Sequence, residues 1–80
     1  MDEGTDYESD ELIARFRQYL HDSEHKDFFG HDDIVEIFDY AGDMSDEYVR
    51  IEALMYAARY FPESKEMEQR RLIFYSGMYP

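Results

Sequence analysis

Apolar residues recur at three-and-four spacing through most of the chain, and the breaks between these runs divide it into four helical segments. Leu12, Ile13, Phe16 and Leu20 define a first amphipathic helix over residues 9–20. Ser9 is placed to cap it, with Asp10 and Glu11 near the positive end of its dipole. Upstream, residues 1–8 carry Asp2, Glu3, Asp6 and Glu8 with Gly4 and no base, which reads as a disordered, self-repelling arm. Residues 21–33 show no sustained period, contain Gly30 and are dense in Asp, so they read as a connection that Phe28 and Phe29 anchor to the core. Ile34, Ile37, Phe38 and Ala41 then mark a second helix from about Asp32 to Ala41, which Gly42 would close in a left-handed conformation.

Ser45 is expected to cap a third helix that runs to Tyr60 or Phe61, where Pro62 stops it. This helix has two apolar stripes. Tyr48, Ile51, Leu54, Met55 and Ala58 form one, and Val49, Ala53, Tyr56 and Tyr60 form its neighbour, which makes the segment the expected centre of the fold. Ser64 is placed to cap a fourth helix through residues 65–75, with Gly77 as its C-terminal cap. The run Leu72-Ile73-Phe74-Tyr75 is apolar all round and predicts packing on every side. With no alternating strand pattern anywhere, the reading is all-α. About four helices in an antiparallel helix-turn-helix arrangement would make one domain over residues 9–80, behind a flexible acidic arm.

Composition changes this picture in two ways. An 80-residue domain buries only roughly 60–65% of its unfolded surface, yet 44% hydrophobic and 18% aromatic content is far above that of a disordered acidic chain, so a packed core is expected. The net charge of −12 opposes contact with phosphate backbones and argues against direct nucleic-acid binding. That charge is segregated: residues 1–49 hold sixteen acids and three bases, net −13, while residues 50–80 hold four acids and five bases, net +1. There is no cysteine, and no apolar stretch approaches the roughly 18 residues of a membrane span. With no amino-terminal leader pattern either, the expectation is a cytoplasmic protein without membrane contact.

The chemistry-bearing residues point away from catalysis. His21 and His25 are four apart, and His31 with Asp22, Asp27 or Asp32 could join them in a metal site, but histidines in an Asp-rich connection are normally solvated. No metal or cofactor is therefore expected. The same segment lacks the ligand alternation of a calcium loop. Asp32 with Asp33, and Glu36 with Asp39, read as a wet helix face rather than an acid–base pair. No nucleophile elbow or phosphate loop is present, so the protein is read as non-enzymatic. Eight tyrosines and six phenylalanines exceed what a core of this size hides, and tyrosine is favoured at interfaces. The candidate interaction residues are Tyr56, Tyr60, Leu72, Phe74, Tyr75 and Tyr79, with Arg70 and Arg71 to meet a partner's carboxylates.

Residues 31–64 have the length of one tetratricopeptide repeat, and Leu54-x-x-Ala57-x-x-x-x-Pro62 resembles the ending of that repeat's second helix. Ile34 and Ile37 fall at its large apolar positions, and from Lys65 onward Leu72 and Tyr75 match the start of another unit. The likeness thus covers about one repeat and the first helix of a second. The sequence departs from the family pattern at Ala41, where Tyr is usual, at Phe38 and Arg50, where small residues are usual, and at Gly42. The resemblance implies a helical array that binds protein or peptide, with the present residues as the amino-terminal part of a longer array. The expected function is accordingly a protein–protein interaction module of unknown partner, with a homodimer through the carboxy-terminal helix as one possible assembly. The alternative is an acidic domain that imitates nucleic acid and occupies a basic DNA-binding protein, which the charge of residues 1–49 motivates.

Overall fold

Four α-helices follow one another in the computed structural model, which describes residues 3–22, 24 and 27–78, and no strand occurs among the described residues. They are α1 (Glu3–His21), α2 (His31–Asp43), α3 (Glu47–Tyr60) and α4 (Lys65–Met78). The all-α expectation holds, and the differences lie at the helix ends.

Helix α1 begins at Glu3, six residues ahead of the expected cap, so residues 3–8 of the expected arm belong to it. Met1 and Asp2 lie outside the described residues. Acidic side chains are favoured in the first turns of a helix by the dipole, which supports helical growth through this segment where charge counting alone suggested repulsion. Ser9 is therefore no cap. It is buried in mid-helix and its hydroxyl donates to the Glu36 carboxylate on α2 at 2.7 Å, which satisfies both groups across the α1–α2 contact.

The α2–α3 turn differs too. Helix α2 runs through Gly42, and no described glycine has a positive φ. The left-handed residue is Ser45, at φ 58°. Its N–H bonds to the Gly42 carbonyl at 3.1 Å and the Asp46 N–H to the Ala41 carbonyl at 2.8 Å, the bond pair of a Schellman closure. A residue held in that conformation cannot also cap the next helix, because an N-cap needs extended backbone. Asp46 takes the role, accepting from the Val49 N–H at 3.2 Å. The Ser64 cap of α4 is found as expected, with its hydroxyl accepting from the Met67 N–H at 3.1 Å. Gly77 lies inside α4 and does not end it.

Helices α2 and α3 form the antiparallel central pair: Gly42 meets Arg50 at one end, and His31 meets Phe61 at the other. Helix α1 packs on this pair through Ile13 and Phe16, with Arg15 in a bidentate pair with Asp27 at 3.0 and 2.8 Å. Helix α4 is tied to α2 by the bidentate pair Arg70–Asp39 at 2.8 and 2.9 Å and by edge contact of Phe74 with Phe38. The centre is aromatic. Phe16, Phe29 and Tyr56 meet edge to face, and the Tyr56 hydroxyl accepts the Phe29 N–H at 2.9 Å. Of the two phenylalanines expected to anchor the connection, Phe29 is fully buried and Phe28 is 62% exposed.

Asp46 links the fold to pH. Its other carboxylate oxygen accepts from Arg17 of α1 at 2.6 Å. That hydrogen bond lowers its pKa; partial burial opposes the shift, and the Val49 N–H adds to it. A lowered folded-state pKa means that the associated stability is complete above the unfolded value of about 3.9 and disappears as pH falls below it. Asp46→Asn keeps a capping oxygen and removes the charge. Wild type should therefore exceed the variant in urea midpoint at pH 6, with the gap narrowing as pH is lowered from there through the depressed folded-state pKa. A gap that stays constant over this range would refute the Arg17 linkage.

Candidate interaction groove

Pro62 ends α3 and the Ser64 cap restarts the chain as α4, which lies back along α3 and leaves an open cleft between them. Its volume is about 230 Å³, and it is lined by Leu54, Ala57, Ala58 and Phe61 of the α3 side and Met67, Glu68 and Arg71 of α4. Leu54, Ala57 and Met67 are buried and form the floor. Beside them α3 carries Met55, 57% exposed, three residues before Ala58 and four after Ile51. Tyr48, 58% exposed, continues that stripe toward the start of α3. On α4, Leu72 is 56% exposed and follows Glu68 by four residues, while half-buried Tyr75 follows Arg71 by four. Residues three and four apart share a helix face, so these side chains widen the cleft into an apolar strip along both helices.

The wall formed by α4 is held by Arg50. Its guanidinium carbon lies 4.7 Å from the ring centroids of both Phe38 and Phe74, a cation over the corner where these two rings meet edge to face. A Cβ on Gly42 would lie 3.4 Å from its Nε, an ordinary van der Waals contact, so α2 passes close to the guanidinium at this point. Glu47 lies 3.6 Å from one terminal nitrogen, and Nε is buried with no hydrogen-bond partner among the described residues. Phe38, Phe74, Gly42 and Arg50 meet in this single cluster.

The candidate residues read from sequence separate into groups. Arg71 lines the cleft, and exposed Leu72 and half-buried Tyr75 stand one turn further along α4 from Glu68 and Arg71. Tyr56 and Phe74 are buried in the core, and burial raises the pKa of the Tyr56 phenol. Tyr60 is exposed beside Phe28, at 5.8 Å between ring centroids, with Arg59 over its face. Arg70 is occupied by Asp39, and Arg71 by Glu68 at 2.8 Å. Both arginine pKa values are raised by these carboxylate hydrogen bonds. Tyr79 lies outside the described residues. Ile73, expected to be packed, is 67% exposed. Of the Tyr48–Ile51–Leu54–Met55–Ala58 stripe expected to pack against another helix, Leu54 is buried and Ile51 half-buried, while Tyr48, Met55 and Ala58 are exposed.

His25 is outside the described residues, and His31 serves the α3–α4 turn. Its Nε2 is 2.5 Å from the Ser64 hydroxyl, and its ring meets Phe61 edge-on. Among the described residues no group of three or more His, Asp or Glu side chains is arranged to hold a metal ion, and no helix is long and apolar enough to cross a membrane. The solvent faces of α1 and α2 are acidic, with Glu8, Asp10, Glu11, Asp32, Asp39 and Asp43 exposed. Comparison with protein-family models, curated proteins and solved structures gives no match to this chain.

Proposed function

We propose that this domain is a non-enzymatic protein-interaction module that takes a helical segment of another protein into the α3–α4 groove. The observation that carries this reading is an apolar strip with a buried floor and exposed edges, in a chain of net charge −12. Tyr48, Met55 and Leu72 together expose on the order of 300 Å² of removable surface, worth about 7 kcal/mol before the costs of association, which is the scale of a reversible contact. The tetratricopeptide resemblance supports the same reading: α2 and α3 correspond to the resembled repeat and α4 to the start of another, so a further helix would be received on this side. The cysteine-free sequence fits a reducing, cytoplasmic setting.

A display selection of helical peptides on the immobilised domain tests the reading, with Met55→Ser/Leu72→Ser as the counter-target. Both positions are exposed, so the double variant should melt like wild type. Peptides that bind the wild type and lose the variant are the expected result. A selection whose binders ignore both substitutions would overturn the assignment of the groove.

The nucleic-acid mimic is kept as a second reading, because Asp32, Glu36, Asp39 and Asp43 follow one another at four-three-four spacing down α2. It requires a basic DNA-binding protein to be held by that stripe. Loss on Asp32→Asn/Asp43→Asn and indifference to the groove variant would favour it.

A further inference from the structure

We infer that the occupant of the groove is a cationic amphipathic helix of a separate protein, about four turns long. This rests on the groove reading above and adds the chemistry of the partner. Helices α3 and α4 each have 14 residues, and at ~1.5 Å per residue the strip between them measures about 21 Å, room for a helix of equal length. Inside the groove, charge is nearly cancelled, since Glu68 and Arg71 pair at 2.8 Å. The floor therefore selects apolar side chains, at the i, i+3, i+4, i+7 spacing of a helix face.

The sign of the partner's outer face follows from the field around the strip. The acidic half carries net −13, and the domain measures 35 × 34 × 21 Å. At ~0.01 M salt the screening length is about 30 Å, comparable with these dimensions, so a ligand at the groove still feels the field of α1 and α2. Around the strip itself charge is balanced, Glu47, Glu52, Glu63, Glu66 and Glu68 standing against Arg50, Arg59, Lys65, Arg70 and Arg71, so the sign of the field at the groove is set by α1 and α2. A lysine- or arginine-rich helix is drawn in, and an acidic one is repelled. The same field disfavours a second copy of this chain as the occupant, because each copy brings net −12 to the encounter.

Three synthetic helices with one leucine pattern and lysine, glutamine or glutamate at all other positions test the inference, by fluorescence anisotropy against the full 80-residue chain. At low salt the lysine peptide should bind more than about tenfold tighter than the glutamine peptide, and the glutamate peptide weakest, with the three converging near 0.5 M salt. Met55→Ser/Leu72→Ser, which leaves charge unchanged, should weaken the lysine peptide at least about tenfold. Asp32→Asn/Asp43→Asn should slow its association and leave the groove dependence intact.

If the lysine and glutamine peptides bind equally and both depend on Met55 and Leu72, the interaction module stands and the cationic partner falls. If the lysine peptide ignores the groove substitutions, its binding is charge attraction alone and the inference is overturned. A wild-type chain that sediments as a dimer, and becomes a monomer on Met55→Ser/Leu72→Ser, would give the groove to a second copy and overturn it as well. Groove-dependent binding by none of the three peptides would remove both readings.

Discussion

Phe16→Ala should remove about 3–5 kcal/mol of stability, most of what an 80-residue domain holds. Phe16 has no exposed surface, and its ring meets Phe29 at 5.3 Å, Tyr19 at 5.8 Å and Tyr56 at 6.1 Å between centroids. These partners come from α1, the α1–α2 connection and α3, so the cavity left by truncation would open where three segments meet and none can close it alone. Phe29 is doubly committed, because its N–H also depends on the Tyr56 hydroxyl. Urea titration followed by circular dichroism at 222 nm checks this, with Leu72→Ala as the surface comparison. Leu72→Ala should change stability by less than about 0.5 kcal/mol. A Phe16→Ala loss below about 1 kcal/mol would mean that the aromatic cluster is not the folding core.

The helices were legible because amphipathic periodicity needs no knowledge of a partner. Ile34, Ile37, Phe38 and Ala41 are all buried, at the spacing that marked α2, and Pro62 and Ser64 punctuate the chain where expected. The errors share one cause. Ser9, Ser45, Gly42 and Gly77 all have residue types that end or begin helices, but only long-range structure decides which of them do. Ser9 has a buried partner 27 residues away in Glu36. Ser45 takes the left-handed position that Gly42 was expected to fill. An Asp directly after Ser45 was the available signal for the true cap, and Arg17 reinforces it from α1.

The groove was partly legible. Its α3 stripe stood in the sequence, but periodicity gives a face and not what covers it, so exposed Met55 and buried Leu54 looked alike. Tyr56 and Phe74 were drawn to the interface by aromatic excess. The core claims Tyr56 because its hydroxyl has a backbone partner, and Phe74 because it stacks against Arg50. The Arg71–Glu68 pair follows from three-residue spacing and was readable, whereas the Arg70–Asp39 pair spans 31 residues and was not.

Arg50→Ala should loosen α4 and weaken groove binding, although Arg50 does not line the groove. The substitution removes two cation–aromatic contacts, each worth about 0.5–2 kcal/mol, together with the side-chain stem that packs beside Gly42. Loss of the buried, unpartnered Nε returns part of this, because that group is desolvated without a hydrogen bond. A net cost of about 2 kcal/mol is expected. It should fall mainly on α4, since Phe74 is one of the two rings beneath the guanidinium and α2 keeps its packing against α1 and α3. Hydrogen exchange in residues 67–76 should then accelerate about thirtyfold, with α2 amides affected less. Arg50→Met separates the causes: it fills the same space without charge or a buried donor. If cation–aromatic attraction dominates, Arg50→Met loosens α4 nearly as much as Ala; if filling the space dominates, it restores wild-type exchange. Exchange in α4 unchanged by Arg50→Ala would show that Arg70–Asp39 and Met67 hold the helix by themselves. Phe38, Gly42 and Arg50 would then be neighbours without a joint role.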